Sequence, residues 1–97
     1  QRLAEDGIII VVMTLEAGSG QLLAGPDIVS RGFVYVRNSE SLMDEAKCVL
    51  DDTMERLTDN NVTDWGKIKT VVKDALSEFL WKRTKRSPMI LPIIMEA

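Results

Sequence analysis

Six consecutive apolar residues, IIIVVM at positions 8–13, leave this chain of 97 residues few ways to fold. β-Branched side chains of this kind favour strands. Because successive side chains of a strand point to opposite sides, the run places apolar groups on both faces of a sheet. A second run, MILPIIM at positions 89–95, has the same property. Both faces of one small sheet therefore need apolar cover.

Three strands make up the predicted sheet. Residues 7–16 predict the first strand, and AGSG at 17–20 predicts a turn that leads back into QLLA at 21–24, as in a hairpin. GPD at 25–27 predicts a turn or bulge before the extended segment 28–37, within which Gly32 indicates a bend or a close backbone approach. Residues 89–95 predict the third strand. Pro92 cannot donate a ladder hydrogen bond, so that strand lies at an edge or is bulged.

Two helices are predicted between the second and third strands. The first spans about 40–58, with Asn38, Ser39 or Ser41 as N-cap, and the second follows a cap at Thr63 or Asp64. The first has an apolar stripe of Leu42, Ala46, Val49, Leu50, Thr53 and Leu57. The second has a stripe of Trp65, Ile68, Val71, Val72, Ala75, Leu76, Phe79 and Leu80. The order β-β-α-α-β predicts one α+β domain over residues 1–97, a small three-stranded sheet with two antiparallel helices packed on one face.

The composition excludes most catalytic chemistry. The sequence has no histidine and one cysteine, so it has no imidazole base, no His-ligated zinc site and no internal disulfide. Asp51 and Asp52 diverge on a helix and cannot share a site, whereas Asp52 and Glu55 can face one cation. Their neighbours are charged, which is typical of a solvated helix face, and Cys48 is interpreted as an inert surface or interface thiol. We therefore expect no catalytic, cofactor-binding or metal-binding residue in this chain.

Acidic residues dominate up to position 66 and basic residues dominate after it, for a net charge of −3. The basic cluster near the end of the second helix, called the basic corner below, has two interpretations. An exposed indole beside four cations can stack on a base and contact phosphates of RNA. Alternatively, the cations stabilise the helix C-terminus and the indole contacts a protein partner. The residues of the basic corner are Trp81, Lys82, Arg83, Lys85 and Arg86.

Arg31, in an otherwise apolar strand, is interpreted as an edge residue or as a partner of an acidic residue of the first helix. The apolar strands themselves predict an association surface. Two helices cover one face of a three-stranded sheet, so one alternate set of strand residues packs beneath them and the other stays open. The candidate residues for this surface are Ile8, Ile9, Ile10, Val11, Val12, Ile90, Ile93 and Ile94.

Three segments resemble the C-terminal domain of bacterial ribonuclease J. They are GPDIVSRGFVYVR at 25–37, TKRSPMILPIIME at 84–96, and LAEDG at 3–7, which is similar to the start of the domain in that family. The resemblance extends over essentially the whole chain. It implies that residues 1–6 are the end of a linker from a longer ribonuclease, in keeping with a chain that begins at Gln1 instead of methionine.

The resemblance also implies functions outside this chain. Ribonuclease J enzymes have a metallo-β-lactamase fold with a β-CASP insertion, and they cleave RNA as 5′-to-3′ exonucleases and endonucleases with two divalent metal ions, expected to be zinc. The family assigns to this domain a role in dimer or tetramer assembly, so the implied partners are a second copy and the catalytic domains of the parent chain. The apolar run is too short to span a bilayer and no charged leader precedes it, which predicts a cytoplasmic protein without a membrane partner.

Overall fold

A computed structural model gives the positions of residues 6–33 and 39–97, with the backbone alone for residues 39 and 40. The element order is β1 (Ile8–Leu15), β2 (Leu22–Arg31), α1 (Ser39–Asp59), α2 (Trp65–Thr84) and β3 (Met89–Glu96). The three strands form a mixed sheet and the two helices pack on it, which confirms the predicted α+β fold. The predicted linker residues 1–5, the strand residues 34–37 and the Asn38 cap lie outside the described residues.

The strand order is β2-β1-β3, so the most apolar strand is central and Pro92 lies on an edge strand. β1 pairs antiparallel with β2 and parallel with β3, where Ile8 is opposite Met89 and Leu15 is opposite Glu96. β2 continues through Gly25 and Pro26 as one strand, and the β1–β2 register shifts between Val12 and Thr14. Of the predicted turn or bulge at 25–27, the bulge is therefore confirmed.

The core lies between one face of the sheet and the two helices. Alternate residues of β1, namely Ile9, Val11, Met13 and Leu15, are almost completely buried. The helices cover them with the predicted stripes, since Leu50 of α1 and the residues Ile68, Val72, Leu76 and Leu80 of α2 have no exposed surface. Trp65, Val71 and Phe79 are partly buried at the margin of this core.

The helix boundaries follow local hydrogen bonding. Asp64 is the N-cap of α2, and its carboxylate accepts a hydrogen bond from the backbone N–H of Lys67 at 3.2 Å. Lys85 ends α2 in a left-handed conformation, with its N–H bonded to the Trp81 carbonyl. α1 begins at Ser39, so Ser41 is inside the helix, where its hydroxyl donates to Glu45. Of the three alternative cap positions, Ser39 and Ser41 are therefore excluded, because both lie inside the helix.

Candidate association surface and basic corner

The face of the sheet opposite the helices is the larger candidate site, and we call it the open face. Strand alternation and the pairing registers assign its residues. On the edge strands, Val29, Leu91, Ile93 and Met95 have between 42% and 49% of their surface exposed. The central residues Ile8, Ile10 and Val12 are half-buried by their neighbours. The residues of the open face are Ile8, Ile10, Val12, Thr14, Ala24, Asp27, Val29, Arg31, Met89, Leu91, Ile93 and Met95.

The eight residues predicted for an association surface divide between the two faces. Ile8, Ile10, Val12 and Ile93 belong to the open face by register. Ile9 and Val11 are fully buried and Ile90 is 2% exposed, because these three pack beneath the helices. Ile94 lies on the helix side as well, partly buried against the core. Periodicity predicts two alternate sets, and which set is open follows from where the helices pack.

Two charged side chains interrupt the apolar open face, and both belong to β2. Asp27 is paired with Val12, Arg31 is paired with Ile8, and Val29 lies midway between them, paired with Ile10. Both charged residues are exposed. Arg31 is therefore an edge residue, as one of its two interpretations predicts, and no ion pair joins it to α1 among the described residues.

The basic corner is held by acidic residues of the same chain. Lys82 pairs with Glu78 at 3.4 Å, and Arg86 pairs with Asp6 at 3.8 Å. The Arg83 guanidinium donates a hydrogen bond to Glu45 and lies 5.6 Å from the centre of the Phe79 ring. That hydrogen bond from Arg83 lowers the pKa of Glu45 below its ordinary value, against the opposing effect of desolvation. The Arg83 charge and the Ser41 hydroxyl lower the pKa further, each by less.

Trp81 is 49% exposed at this corner, as predicted from the helical period. The ammonium group of Lys85 lies 5.4 Å from the centre of its ring, within range of a cation–π interaction. The corner therefore presents an aromatic ring to solvent, while three of its four cations lie beside carboxylates. The partners Glu45 and Asp6 are distant in sequence from Arg83 and Arg86, so helical spacing does not predict these two ion pairs.

The remaining candidates do not converge on a site. Cys48 is exposed, as expected for a surface thiol. Asp52 lines a shallow groove between the helices together with Arg56, Glu78 and Lys82. Two basic side chains of the protein therefore lie in the same groove as this carboxylate. Across residues 6–33 and 39–97, no three His, Cys, Asp or Glu side chains are grouped so that they could hold a metal ion. Among these described residues there is therefore no group that fits the two-metal centre that the resemblance implies for the parent enzyme.

None of the helices in the described parts of the chain is both long and apolar enough to cross a membrane. The apolar residues of the open face lie on strands, within a sheet that the helices cover on its other side.

Comparison with known proteins places the chain in a family. A sequence model described as the ribonuclease J C-terminal domain matches residues 1–97. Ribonuclease J2 of Bacillus subtilis is 46% identical over 94 residues, and Ribonuclease J 2 of Staphylococcus saprophyticus and of Staphylococcus aureus are 46% identical over the same length. The alignments include 97% of this chain and 17% of each relative. The chain therefore belongs to the ribonuclease J C-terminal domain family.

Proposed function

We propose that this chain is a non-catalytic assembly domain of a ribonuclease J-like enzyme and that the open face is its association surface. The family match over all 97 residues supports the first part. The open face supports the second, and it is the observation that carries the proposal. It has nine apolar side chains on three adjacent strands, which form a contiguous patch of the kind that marks an interaction site in a soluble protein.

The energetics favour covering this face. Burying a large aliphatic side chain contributes roughly 1.5–3 kcal/mol, so four half-exposed side chains offer a substantial part of the free energy of a stable interface. Val29, Leu91, Ile93 and Met95 are exposed to this extent. The occupants that fit the proposal are a second copy, in a homodimer or tetramer, and the catalytic domains of the parent chain.

On this proposal, RNA cleavage belongs to other domains of the parent. Those domains act as a cytoplasmic 5′-to-3′ exonuclease and endonuclease in mRNA decay and rRNA maturation, and they hold the two divalent metal ions, zinc in this family. The chain in hand supplies association and full activity but no reacting group. We accordingly expect the purified domain to cleave no RNA with Mg²⁺, Mn²⁺ or Zn²⁺. Metal-dependent cleavage that disappears on substitution of one of its carboxylates would contradict this.

The test of association uses Ile10→Lys, at the centre of the open face. The solution mass of the domain is measured by sedimentation over a dilution series, and we expect the parent to associate and the variant to be monomeric. Thr58→Lys, on the exposed end of α1, adds the same charge on the opposite layer and is expected to behave as the parent does. Ile10→Thr keeps a β-branched side chain and provides a milder variant if the lysine variant does not fold.

Two results would contradict the proposal. The first is a parent domain that is monomeric at all concentrations, together with a full-length enzyme in which Ile10→Lys does not change the contact with the catalytic domains. In that case the open face is not an association surface. A folded Ile10→Lys variant that associates as strongly as the parent places the surface elsewhere.

An accessory RNA-binding module is the alternative function, and the exposure of Trp81 is the observation that favours it. The ion pairs of Lys82, Arg83 and Arg86 weigh against it, because a cation held by a carboxylate releases fewer counterions when it meets a phosphate. Assembly is therefore the function that the geometry supports better.

A further inference from the structure

The two charges of the open face are arranged so that the face is complementary to itself. This inference rests on the proposed function and goes further, because it specifies the partner and the register. Asp27 and Arg31 lie on β2 at equal distances on either side of Val29. Three rows of side chains cross the sheet here: Arg31, Ile8 and Met89 form the first row, Val29, Ile10 and Leu91 the second, and Asp27, Val12 and Ile93 the third.

We propose that a second copy packs face to face on the open face, with a twofold axis that crosses the strands along the row of Val29, Ile10 and Leu91. Packed sheets of this kind keep their strand directions within about 30° of each other. A twofold axis in the plane of such an interface runs either along the strands or across them. The charges distinguish these two directions.

An axis along the strands places β2 of one copy over β3 of the other. Asp27 and Arg31 would then be buried against apolar side chains such as Met89 and Ile93, without a partner for either charge. Burying an unpaired charge is costly, so this direction is unfavourable. An axis across the strands places β2 over β2 in antiparallel orientation, which brings the charged residues of the two copies together.

The position of the axis follows from the same charges. An axis along the row of Asp27 places each Asp27 over its counterpart, and an axis along the row of Arg31 does the same for Arg31. Both arrangements oppose like charges. An axis along the middle row places Asp27 over Arg31 twice, as an isologous interface requires, and Ile8 over Val12. Within residues 6–33 and 39–97 neither Asp27 nor Arg31 has an ion-pair partner, so both are available for this contact.

Charge reversal tests this register. Asp27→Arg places an arginine opposite Arg31 at each of the two contacts, and Arg31→Asp places an aspartate opposite Asp27 at each, so each single variant has like charges at both contacts. We expect each to weaken self-association by about tenfold or more. Asp74→Arg and Lys73→Asp make the same changes on the exposed side of α2 and are expected to associate as the parent does.

Two recoveries are specific to the proposed register. Mixing the two single variants is expected to give a heterodimer as tight as the parent dimer, because one copy presents two arginines and the other two aspartates. The double variant Asp27→Arg/Arg31→Asp is expected to form a homodimer again, because the two charges are exchanged. Native mass spectrometry of copies with different isotope labels distinguishes the mixed pair from each homodimer.

Each remaining outcome overturns the register. Single variants that weaken association without recovery on mixing show that the two residues do not face each other. Charge variants that associate as the parent does, when Ile10→Lys is monomeric, overturn the register and leave the proposed function intact. A parent that does not self-associate at any concentration overturns the inference. If Ile10→Lys nevertheless disrupts contact with the catalytic domains, the proposed function survives with a different occupant.

Discussion

Gly7 occupies a position that admits no side chain. Its φ is +92°, and a Cβ added there would lie 2.4 Å from the Gly32 carbonyl carbon and from the Phe33 nitrogen. The Gly7 carbonyl also accepts the backbone hydrogen bond of Met89 at 2.9 Å. One glycine therefore lies against the end of β2 and anchors the first residue of β3. The bend predicted at Gly32 is confirmed, and the backbone of Gly7 is the segment that packs against it.

Gly7→Ala is expected to destabilise the domain strongly. A left-handed backbone costs a residue with a Cβ about 1–3 kcal/mol, and the clash with backbone atoms adds to that. Gly18→Ala is the matched control, because Gly18 has a φ of +88° and nothing within 4 Å of the added Cβ. We expect the free energy of unfolding in urea to fall by about 2 kcal/mol more for Gly7→Ala than for Gly18→Ala. Equal losses would show that backbone conformation, and not the close approach, sets the cost.

Glu45 connects the two helices through Arg83, and its titration reports that contact. Its lowered pKa means that the folded state holds the carboxylate more firmly than the unfolded state does. The resulting stabilisation is complete above the ordinary value of 4.5 and is lost as the pH falls through the lower, folded-state pKa. Arg83→Met is expected to raise the pKa of Glu45 toward its ordinary value, as measured by NMR titration of the side-chain carboxyl.

Lys82→Met is the control for that titration, because Lys82 pairs with Glu78 and not with Glu45. The stability difference between the parent and Arg83→Met should shrink as the pH is lowered from 6 toward 3. If the pKa of Glu45 is the same in the parent and in Arg83→Met, the hydrogen bond from Arg83 is not the cause of the lowered pKa.

At the scale of elements, the start of α2 depends on one side chain. Asp64→Ala removes the acceptor for the Lys67 N–H, and we expect a loss of about 1 kcal/mol in the free energy of unfolding. Asp74→Ala changes the same residue type in the exposed middle of the same helix and is expected to change stability by a few tenths of that value at most. Comparable losses for both variants would mean that overall charge, and not capping, is responsible.

Most of the helices and strands were predictable, because apolar residues recur along them at the period of a helix or of a strand. The stripes of α1 and α2 recur every three to four residues, and the core residues Leu50, Leu76 and Leu80 lie on them. The continuity of β2 through Gly25 and Pro26 was not predictable in this way. These residue types signal a turn, and the pairing with β1 that carries the strand past them is a tertiary interaction.

The candidate site was predictable to a similar extent. Alternation predicts two apolar sets on β1, but the choice of the open set depends on helix packing that no local pattern specifies. Spacing likewise predicts the exposure of Trp81 and the cluster of cations beside it. The pairing of Arg83 with Glu45 and of Arg86 with Asp6 joins residues that only the folded chain brings together.

At the scale of the whole molecule, the ion pairs at the basic corner predict weak RNA binding. A protein that contacts six to ten phosphates loses about 10³–10⁵ in affinity between 50 and 200 mM salt. We expect the affinity of the domain for a single-stranded RNA, measured by fluorescence anisotropy, to fall by less than about tenfold over that range. Glu78→Gln releases Lys82 from its partner and is expected to strengthen binding and steepen its salt dependence. Tight, steeply salt-dependent binding by the parent that is lost in Trp81→Ala would favour the RNA-binding module instead.

The parallel pairing of β1 with β3 has a consequence for how the protein is made. The two strands are in register over their whole length, yet about 80 residues separate each pair in sequence. Within the domain, β1 is the first of the three strands to be synthesised, and β3, which pairs with its second edge, follows only after both helices. Until then the nascent chain presents an unpaired apolar edge, which is the kind of segment that aggregates or binds chaperones. The sheet is therefore completed only when β3 has been synthesised and has paired with β1.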